Sequence, residues 1–216
     1  MGEGKLSPYL KGENMKLSEF RQQIRDLGFE DDAIYSEYST VILNALNRSL
    51  DIINTTVEPI VDKIEIIQDG TQSGVVRYDL SDLCEDANGN KNFESLYGTA
   101  TRVYNNASYS FRNYTVEQNK IILMDASLPG TFTFFYTPIW ADITTDTQDD
   151  FEIPIAHEVE QLLPLLTAYY VWLDDDERKA VMYYNQFDSL KNEILGKIQA
   201  RQEQAAAEII GGIGWD

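Results

Sequence analysis

Apolar residues recur at steps of three and four along residues 153–198, and a short acidic stretch divides them into two groups. The first group consists of Ile155, Val159, Leu162, Leu163, Leu166, Tyr169, Tyr170 and Leu173. The second group, with Lys191 beside it, consists of Ala180, Tyr183, Tyr184, Phe187, Leu190, Ile194 and Ile198. This spacing places each group on one face of an α-helix, so it predicts two amphipathic helices that pack as a hairpin.

Prolines and aspartates mark where these two helices are expected to begin. Pro154 suits the first position of the first helix, where a backbone N–H is not needed. Asp174, Asp175 and Asp176 offer carboxylates to the free N–H groups of the second helix. Pro164 falls inside the predicted first helix and removes a donor there, so we expect a kink near residues 160–163.

The N-terminal part of the chain predicts two further helices. Ser18 is expected to cap a short helix that ends at Leu27, with Gly28 as its stop. A longer helix is predicted from residues 30–32 to Asn54, because acidic residues suit a helix N-terminus. Its predicted buried side comprises Ile34, Tyr38, Val41, Ile42, Ala45, Leu46, Ser49, Ile52 and Ile53. We expect that side to pack against the hairpin.

The segment between these helical regions consists of short β-branched and aromatic runs. Strands are predicted at residues 61–67, 75–80, 99–104, 109–116, 120–124 and 131–137. Phe132, Phe134 and Tyr136 alternate with less apolar residues, as in a strand buried on one face. Turn residues such as Asn105-Asn106 separate the runs, so the strands are expected to be antiparallel.

Together these patterns predict an α+β fold, in which a discontinuous α-helical bundle carries an inserted antiparallel β-sandwich or barrel. The predicted divisions are a flexible N-terminal arm at 1–15, a helical core at 16–57 and 153–208, an inserted β domain at 58–140, an exposed acidic linker at 141–152 and a C-terminal arm at 209–216.

The charge of the chain changes this picture of its surface. The formal net charge is −19, which argues against nucleic-acid binding through a basic face. Between Lys120 and Arg178 there are twelve Asp and Glu residues and no Lys or Arg. Such an interval is typical of an ordinary solvated acidic surface, or of a channel or collar that faces DNA without adhering to it. In the second interpretation Asp174, Asp175 and Asp176 would line the channel.

Candidate chemistry is sparse. The single histidine, His157, is expected to face water in a first helical turn, and the single cysteine, Cys84, to be a small buried side chain. We therefore predict no catalytic, metal or cofactor site, and not an enzyme. Asn47, Asn54, Asn106 and Asn113 head Asn-x-Ser/Thr triplets, which we interpret as chance matches because no secretory signal or membrane-spanning run is present. The expectation is a soluble protein assembled in the cytoplasm, with no membrane partner.

Several residues of the hairpin carry a resemblance to a known family. They are the Ile-Pro opening at 153–154, Ala168-Tyr169-Tyr170, the Asp-rich corner, and a second helix running through Ala180, Tyr183-Tyr184 and Phe187. Over these roughly 45 residues the chain resembles the C-terminal half of head-to-tail adaptor, or connector, proteins of tailed bacteriophages. The resemblance implies a ring-forming virion protein, commonly dodecameric, that docks beneath the portal at the neck and continues its channel to the tail.

Partners and site residues follow from this resemblance as expectations. The partners would be further copies of the chain, the portal protein and a downstream tail or neck protein, while DNA passes without specific binding. Helical packing and oligomer contacts are assigned to Tyr169, Tyr170, Tyr183, Tyr184 and Phe187. A C-terminal arm with Ile209, Ile210, Ile213 and Trp215, beyond or beside a glycine hinge at 211–212, is expected either to dock into the portal or to be a frayed tail.

Two other functions stay open. The Tyr-, Asn- and Thr-rich strands between residues 97 and 137 are compatible with a carbohydrate-binding or adhesion module. An enzyme with paired carboxylates, such as a glycosidase, is the third alternative, but no spacing in the sequence selects the pair.

Overall fold

A computed structural model of the chain describes residues 14–29, 31–86 and 89–211, with side chains as far as residue 201. The predicted α+β architecture is confirmed, because helices lie at both ends and an antiparallel β region is inserted between them. The chain divides into two compact units, a β unit at residues 60–141 and a helical unit at 14–59 and 142–211. None of the described helices combines the length and the apolar composition that crossing a membrane requires.

The described residues of the β unit form seven strands and one short helix. They are β1 (Asp62–Gln68), β2 (Val75–Asp79), α3 (Leu80–Leu83), β3 (Phe93–Tyr104), β4 (Ala107–Ser110), β5 (Tyr114–Glu117), β6 (Ile121–Asp125) and β7 (Gly130–Pro138). The strands form a four-stranded sheet in the order β1-β7-β3-β4 and a three-stranded sheet in the order β2-β6-β5. All pairings are antiparallel.

One core joins the two sheets into a sandwich. Phe132, Phe134 and Tyr136 on β7 are at most 2% exposed, as their alternation predicts. The ring of Tyr114, from the smaller sheet, meets Phe134 edge-on with centroids 5.1 Å apart. Cys84 belongs to the same core, where burial raises the pKa of its thiol to about 12.

The prediction of a single strand at residues 109–116 is wrong. β4 and β5 belong to different sheets, and residues 111–113 carry the chain from one sheet to the other. Phe111 is buried at this crossing, so the run stays apolar although the strand is broken. Asn105 and Asn106 join β3 to β4 with positive φ angles of 51° and 61°, the type I′ geometry of a tight hairpin.

The helical unit contains α1 (Leu17–Asp26), α2 (Asp32–Thr56), α4 (Leu162–Trp172) and α5 (Glu177–Gly211). Asp31 caps α2, since its side chain accepts hydrogen bonds from the N–H groups of Ala33 and Ile34 at 2.8 and 3.2 Å. The predicted cap of α1 is wrong, because the helix begins before Ser18. Its cap residue is Lys16, whose N–H donates to Glu19 Oε2 at 2.9 Å.

Helix α4 lies between α2 and α5 and packs on both. It is apolar on every side, with buried residues from Leu162 to Val171, as expected of a helix enclosed by its neighbours. The buried side of α2 differs from the prediction at Ile34 and Val41, which are 43% and 46% exposed. Both residues face away from the core that Ile42, Leu46 and the rest of the buried side share with α4.

The predicted helix start near Ile155 and the kink at residues 160–163 are also wrong. Residues 153–161 form bends and turns, and α4 begins only at Leu162. Pro164 therefore stands in the first turn, where its missing N–H costs no helical hydrogen bond. Ile155 and Val159 are still fully buried, so their apolar spacing reflects packing of an irregular segment.

Two asparagines of α2 hold the returning segment to the helical unit. Asn47 donates to the carbonyl of Ile143 and accepts from its N–H, both at 2.9 Å. Asn54 donates to the carbonyl of Pro154 at 3.1 Å. The sequence predicts that the linker at 141–152 is exposed throughout, and most of it is, but Ile143 is only 2% exposed.

Candidate functional site

The hairpin of α4 and α5 brings together the aromatic residues that the sequence singles out. Ring centroids of Tyr169 lie 4.8 Å from Tyr170 and 5.0 Å from Tyr184, and those of Tyr184 and Phe187 are 6.0 Å apart. Phe187 is buried, whereas Tyr184 is 42% exposed at the edge of the cluster. The cluster therefore has a core side and a side open to a further partner.

Tyr183 belongs to the core but faces a different neighbour. Its side chain is 5% exposed, and its hydroxyl donates to the carbonyl of Leu27 at the end of α1. Burial raises the pKa of this phenol, so it stays neutral and a donor. This hydrogen bond thus connects α5 to the segment between α1 and α2.

The acidic corner between α4 and α5 combines three different environments. Asp176 caps α5, accepting from the N–H of Lys179 at 3.1 Å, as expected for this position. Asp175 accepts a hydrogen bond from the Tyr38 hydroxyl on α2, and this bond raises the pKa of Tyr38. Asp174 is exposed and makes no hydrogen bond or ion pair with any described residue. Of these three carboxylates, only that of Asp174 has no hydrogen-bond or ion-pair partner among the described residues of the helical unit.

A stack of two aromatic rings, which the sequence analysis did not predict, lies next to this corner. Trp172 at the end of α4 stacks on Phe29 with centroids 4.8 Å apart, and the Lys179 ammonium lies 3.5 Å above its ring. Gly28, with φ of +116°, leaves room here, because a Cβ at this position would come within 2.3 Å of Lys179 Nζ. A glycine stop followed at once by phenylalanine was the available signal that a side chain enters the core at this corner.

His157 lies before α4 rather than in a helical turn. Its ring is largely exposed, and its Nδ1 lies 3.1 Å from Glu160 Oε1. In the described part of the chain, no group of three His, Cys, Asp or Glu side chains is placed to hold a metal ion.

The predicted C-terminal arm falls largely outside the part whose side chains are described. Ile209 and Ile210 lie within α5, which runs to Gly211, while Ile213 and Trp215 lie outside the described residues. Among the side chains of α5 that the structure describes, which end at residue 201, the last buried one is Ile194, and Leu195 and Ile198 are half-buried. The helical backbone continues to Gly211.

A second surface lies on the β unit, on the side of the four-stranded sheet that faces away from Phe132 and Phe134. Tyr97 and Phe135 stand opposite each other there, and Tyr97 is 44% exposed. Many of the surrounding outward positions carry hydroxyls, namely Ser95, Thr101, Ser108, Ser110, Thr131, Thr137 and the buried Thr133. The exposed apolar residues Ile67 and Val103 lie on the same face. The charged side chains on this face are those of Lys63 and Glu65 on the edge strand β1, and Lys63 Nζ lies 2.8 Å from Glu65 Oε1. The face is otherwise uncharged, in contrast to the strongly acidic chain as a whole.

Comparison with known proteins adds no relative. No protein-family model matches the chain, and no curated protein matches it.

Proposed function

We propose that this chain is a head-to-tail adaptor of tailed bacteriophages, a structural subunit that assembles into a ring beneath the portal and continues the DNA channel towards the tail. The observation that carries the proposal is the form of the stretch that resembles this family. Residues 162–211 fold as an enclosed helix, an acidic corner and a long second helix, and four of the five aromatic residues of the resemblance lie together between them, namely Tyr169, Tyr170, Tyr184 and Phe187.

The length of α5 supports a subunit that associates with others. Most of a helix's stability in water comes from packing of an apolar face, and residues 199–201, the last described side chains of this 35-residue helix, are exposed. Its N-terminal half also exposes Val181 and Met182 by 47% and 45%. A helix of this kind is typical of a subunit whose remaining contacts come from neighbouring molecules.

The acidic corner supports a DNA passage in the same proposal. In a ring whose lumen is reached by this corner, each copy would add the unpaired charge of Asp174 to the wall. A wall of like charge keeps the phosphate backbone from adhering, because binding to DNA requires cations that replace its counterions. The C-terminal residues 209–216 are assigned to portal docking in this proposal.

Particle mass tests the ring. The full-length chain, alone and mixed with a portal protein, is examined by mass photometry and negative-stain microscopy. Twelve copies of the 24.6 kDa chain would give particles of about 295 kDa with a central hole. Particles of monomer mass under both conditions would refute the proposal. Deleting residues 209–216 should leave the ring intact and abolish its attachment to portal-bearing heads.

The channel assignment has its own pair of variants. Asp174→Asn should leave folding and ring assembly unchanged and slow DNA passage in reconstituted particles. Asp176→Ala removes the cap of α5, so its effect should appear as a loss of thermal stability. If Asp174→Asn has no effect on DNA passage, the corner does not face the channel, and its function is limited to capping α5 and to the hydrogen bond between Tyr38 and Asp175.

The outer face of the four-stranded sheet favours a second function, binding of a neutral glycan. Aromatic rings stack on sugar faces, and the hydroxyls around Tyr97 and Phe135 supply donors and acceptors without charge. Titration calorimetry against neutral polysaccharides should then show binding that Tyr97→Ala removes, with Tyr109→Ala as control because that residue is exposed on a different side of β4. No heat of binding with any neutral polysaccharide would exclude this function.

A further inference from the structure

The helical unit exposes apolar side chains on two of its helices, and these lie on different sides of α4. Helix α4 packs on α2 and on α5, and those two helices make few contacts with each other. Ile34 and Val41 project from α2 away from this core, and Val181 and Met182 project from α5. One unit therefore carries two separate surfaces that lack an apolar partner within the unit.

The surface on α2 is a narrow ridge. Residues 34, 37, 41, 44 and 48 follow one another at steps of three and four, so they lie along one side of the helix. Ile34 and Val41 supply its apolar part. Glu37 lies towards its N-terminal end and Arg48 at its C-terminal end, where the guanidinium rests 4.1 Å above the ring of Tyr170.

The surface on α5 is a groove with the opposite order of charge. It is lined by Val181 and Met182, by Leu165 from α4 and by Leu190 further along α5. Arg178 closes its N-terminal end and Glu193 its C-terminal end. Among the described residues neither Arg178 nor Glu37 forms an ion pair, whereas Glu193 already pairs with Lys197 at 2.6 Å.

We infer that the α2 ridge of one copy docks, parallel, into the α5 groove of the next copy; this inference rests on the proposed ring. In this alignment Glu37 meets Arg178, and Val41, four residues on, meets Met182, four residues after Arg178. Arg48 then approaches Glu193. With a helical rise of about 1.5 Å per residue, Glu37 and Arg48 are about 16 Å apart along the axis of α2. Arg178 and Glu193 are about 22 Å apart along the axis of α5. Arg48 would have to leave the ring of Tyr170 to span the difference, so the alignment rests on the pair of Glu37 with Arg178.

Pairing of different surfaces is favoured over pairing of like surfaces for a steric reason. Two ridges that meet antiparallel also match their charges, but they leave both grooves empty. A ridge in a groove buries Val41 of one copy together with Val181 and Met182 of the next. Repetition of a contact between two different surfaces gives a ring when the rotation from copy to copy closes, whereas a contact of one surface with itself stops at a dimer.

Cysteine cross-linking separates these arrangements. The chain's own Cys84 is buried and the pKa of its thiol is raised, so it should not form disulfides in this assay. We expect Val41→Cys and Met182→Cys, each alone, to give no disulfide-linked species on oxidation. The double variant, and an equal mixture of the two single variants, should give linked species, with a ladder to the size of the ring in the double variant. A dimer from either single variant would show like-surface pairing and overturn the inference.

A charge exchange provides the second measurement. Glu37→Arg should raise the concentration needed for ring assembly about tenfold, because it places two cations together, and Arg178→Glu in the same chain should restore assembly. Glu94→Arg, at an exposed position of β3 in the β unit, is the matched control and should have no such effect. Rings that form without the disulfide between positions 41 and 182, or without the charge rescue, would refute this contact and leave the proposed ring standing. A chain that stays monomeric would refute both.

Discussion

Asn47 offers the sharpest test of how the helical unit is held together. Its side chain makes two hydrogen bonds of 2.9 Å to the backbone of Ile143, a residue 96 positions away in the sequence. Replacement by alanine removes both and leaves the N–H and the carbonyl of Ile143 without partners. Each hydrogen bond contributes about 1 kcal/mol net, and an unsatisfied group costs about 1–3 kcal/mol where water does not reach it. We therefore expect Asn47→Ala to lower the free energy of unfolding by roughly 2–3 kcal/mol.

Two further asparagines of α2 provide the comparison. All three alanine variants gain the same helix propensity, so exposed Asn44→Ala, measured at a concentration below that needed for assembly, gives that gain by itself. Asn54 makes one hydrogen bond, and its Oδ1 is buried without a partner, so Asn54→Ala loses a bond but also removes an unsatisfied acceptor. Its cost relative to Asn44→Ala should be about 1 kcal/mol or less.

Equilibrium urea unfolding followed by circular dichroism at 222 nm measures the series, since the helices dominate that signal. The midpoints should fall in the order Asn44→Ala, Asn54→Ala, Asn47→Ala, with unchanged slopes. If Asn47→Ala is as stable as Asn44→Ala, the contact with Ile143 does not stabilise the unit, and the reasoning is refuted.

Three other predictions concern the aromatic cluster, a turn and the cysteine. Phe187→Asp should unfold the helical unit, because a buried unpaired carboxylate costs several kcal/mol, whereas Tyr184→Asp at the exposed edge should stay folded by circular dichroism. Gln118 has a φ of +51°, so Gln118→Gly should raise the melting temperature, with a gain of roughly 0.5–1 kcal/mol, while the same change at Val116 inside β5 should lower it. Cys84 should react with a thiol reagent at pH 8 only as fast as the β unit opens, because burial holds its pKa at about 12; immediate reaction in native buffer would contradict this.

The parts of the fold that the sequence predicts well are those with a sustained period. The 3.6-residue spacing of α2 and α5 and the alternation of β7 are local properties of the chain, so they are visible without knowing what each segment packs against. Residues 155–161 show the limit of this reasoning. Ile155 and Val159 have helical spacing and are buried, yet they lie in turns, and the proline at 164 marked the true helix start.

Interactions between distant polar groups were beyond reach of the sequence. Asn47 stands out only as part of an Asn-x-Ser triplet, because nothing in the local sequence indicates a backbone partner at Ile143. The early part of β3 was missed for a different reason. Its pairing with β7 shifts register between Tyr97 and Thr101, and Gly98 there has a φ of +64°, so the alternation that would predict one continuous strand is interrupted.

The enclosed position of α4 has a consequence for how the protein is made. The β unit is one continuous segment, residues 60–141, and its partners all leave the ribosome together. The helical unit is split, so α2 emerges with its apolar side uncovered and stays so until α4 and then α5 are synthesised. The β unit should therefore be the first to fold, and the nascent chain should carry an unpaired α2 for as long as that takes. When many chains are synthesised at once at high expression, the uncovered α2 of one chain can meet that of another. We therefore expect misassembly to begin at α2.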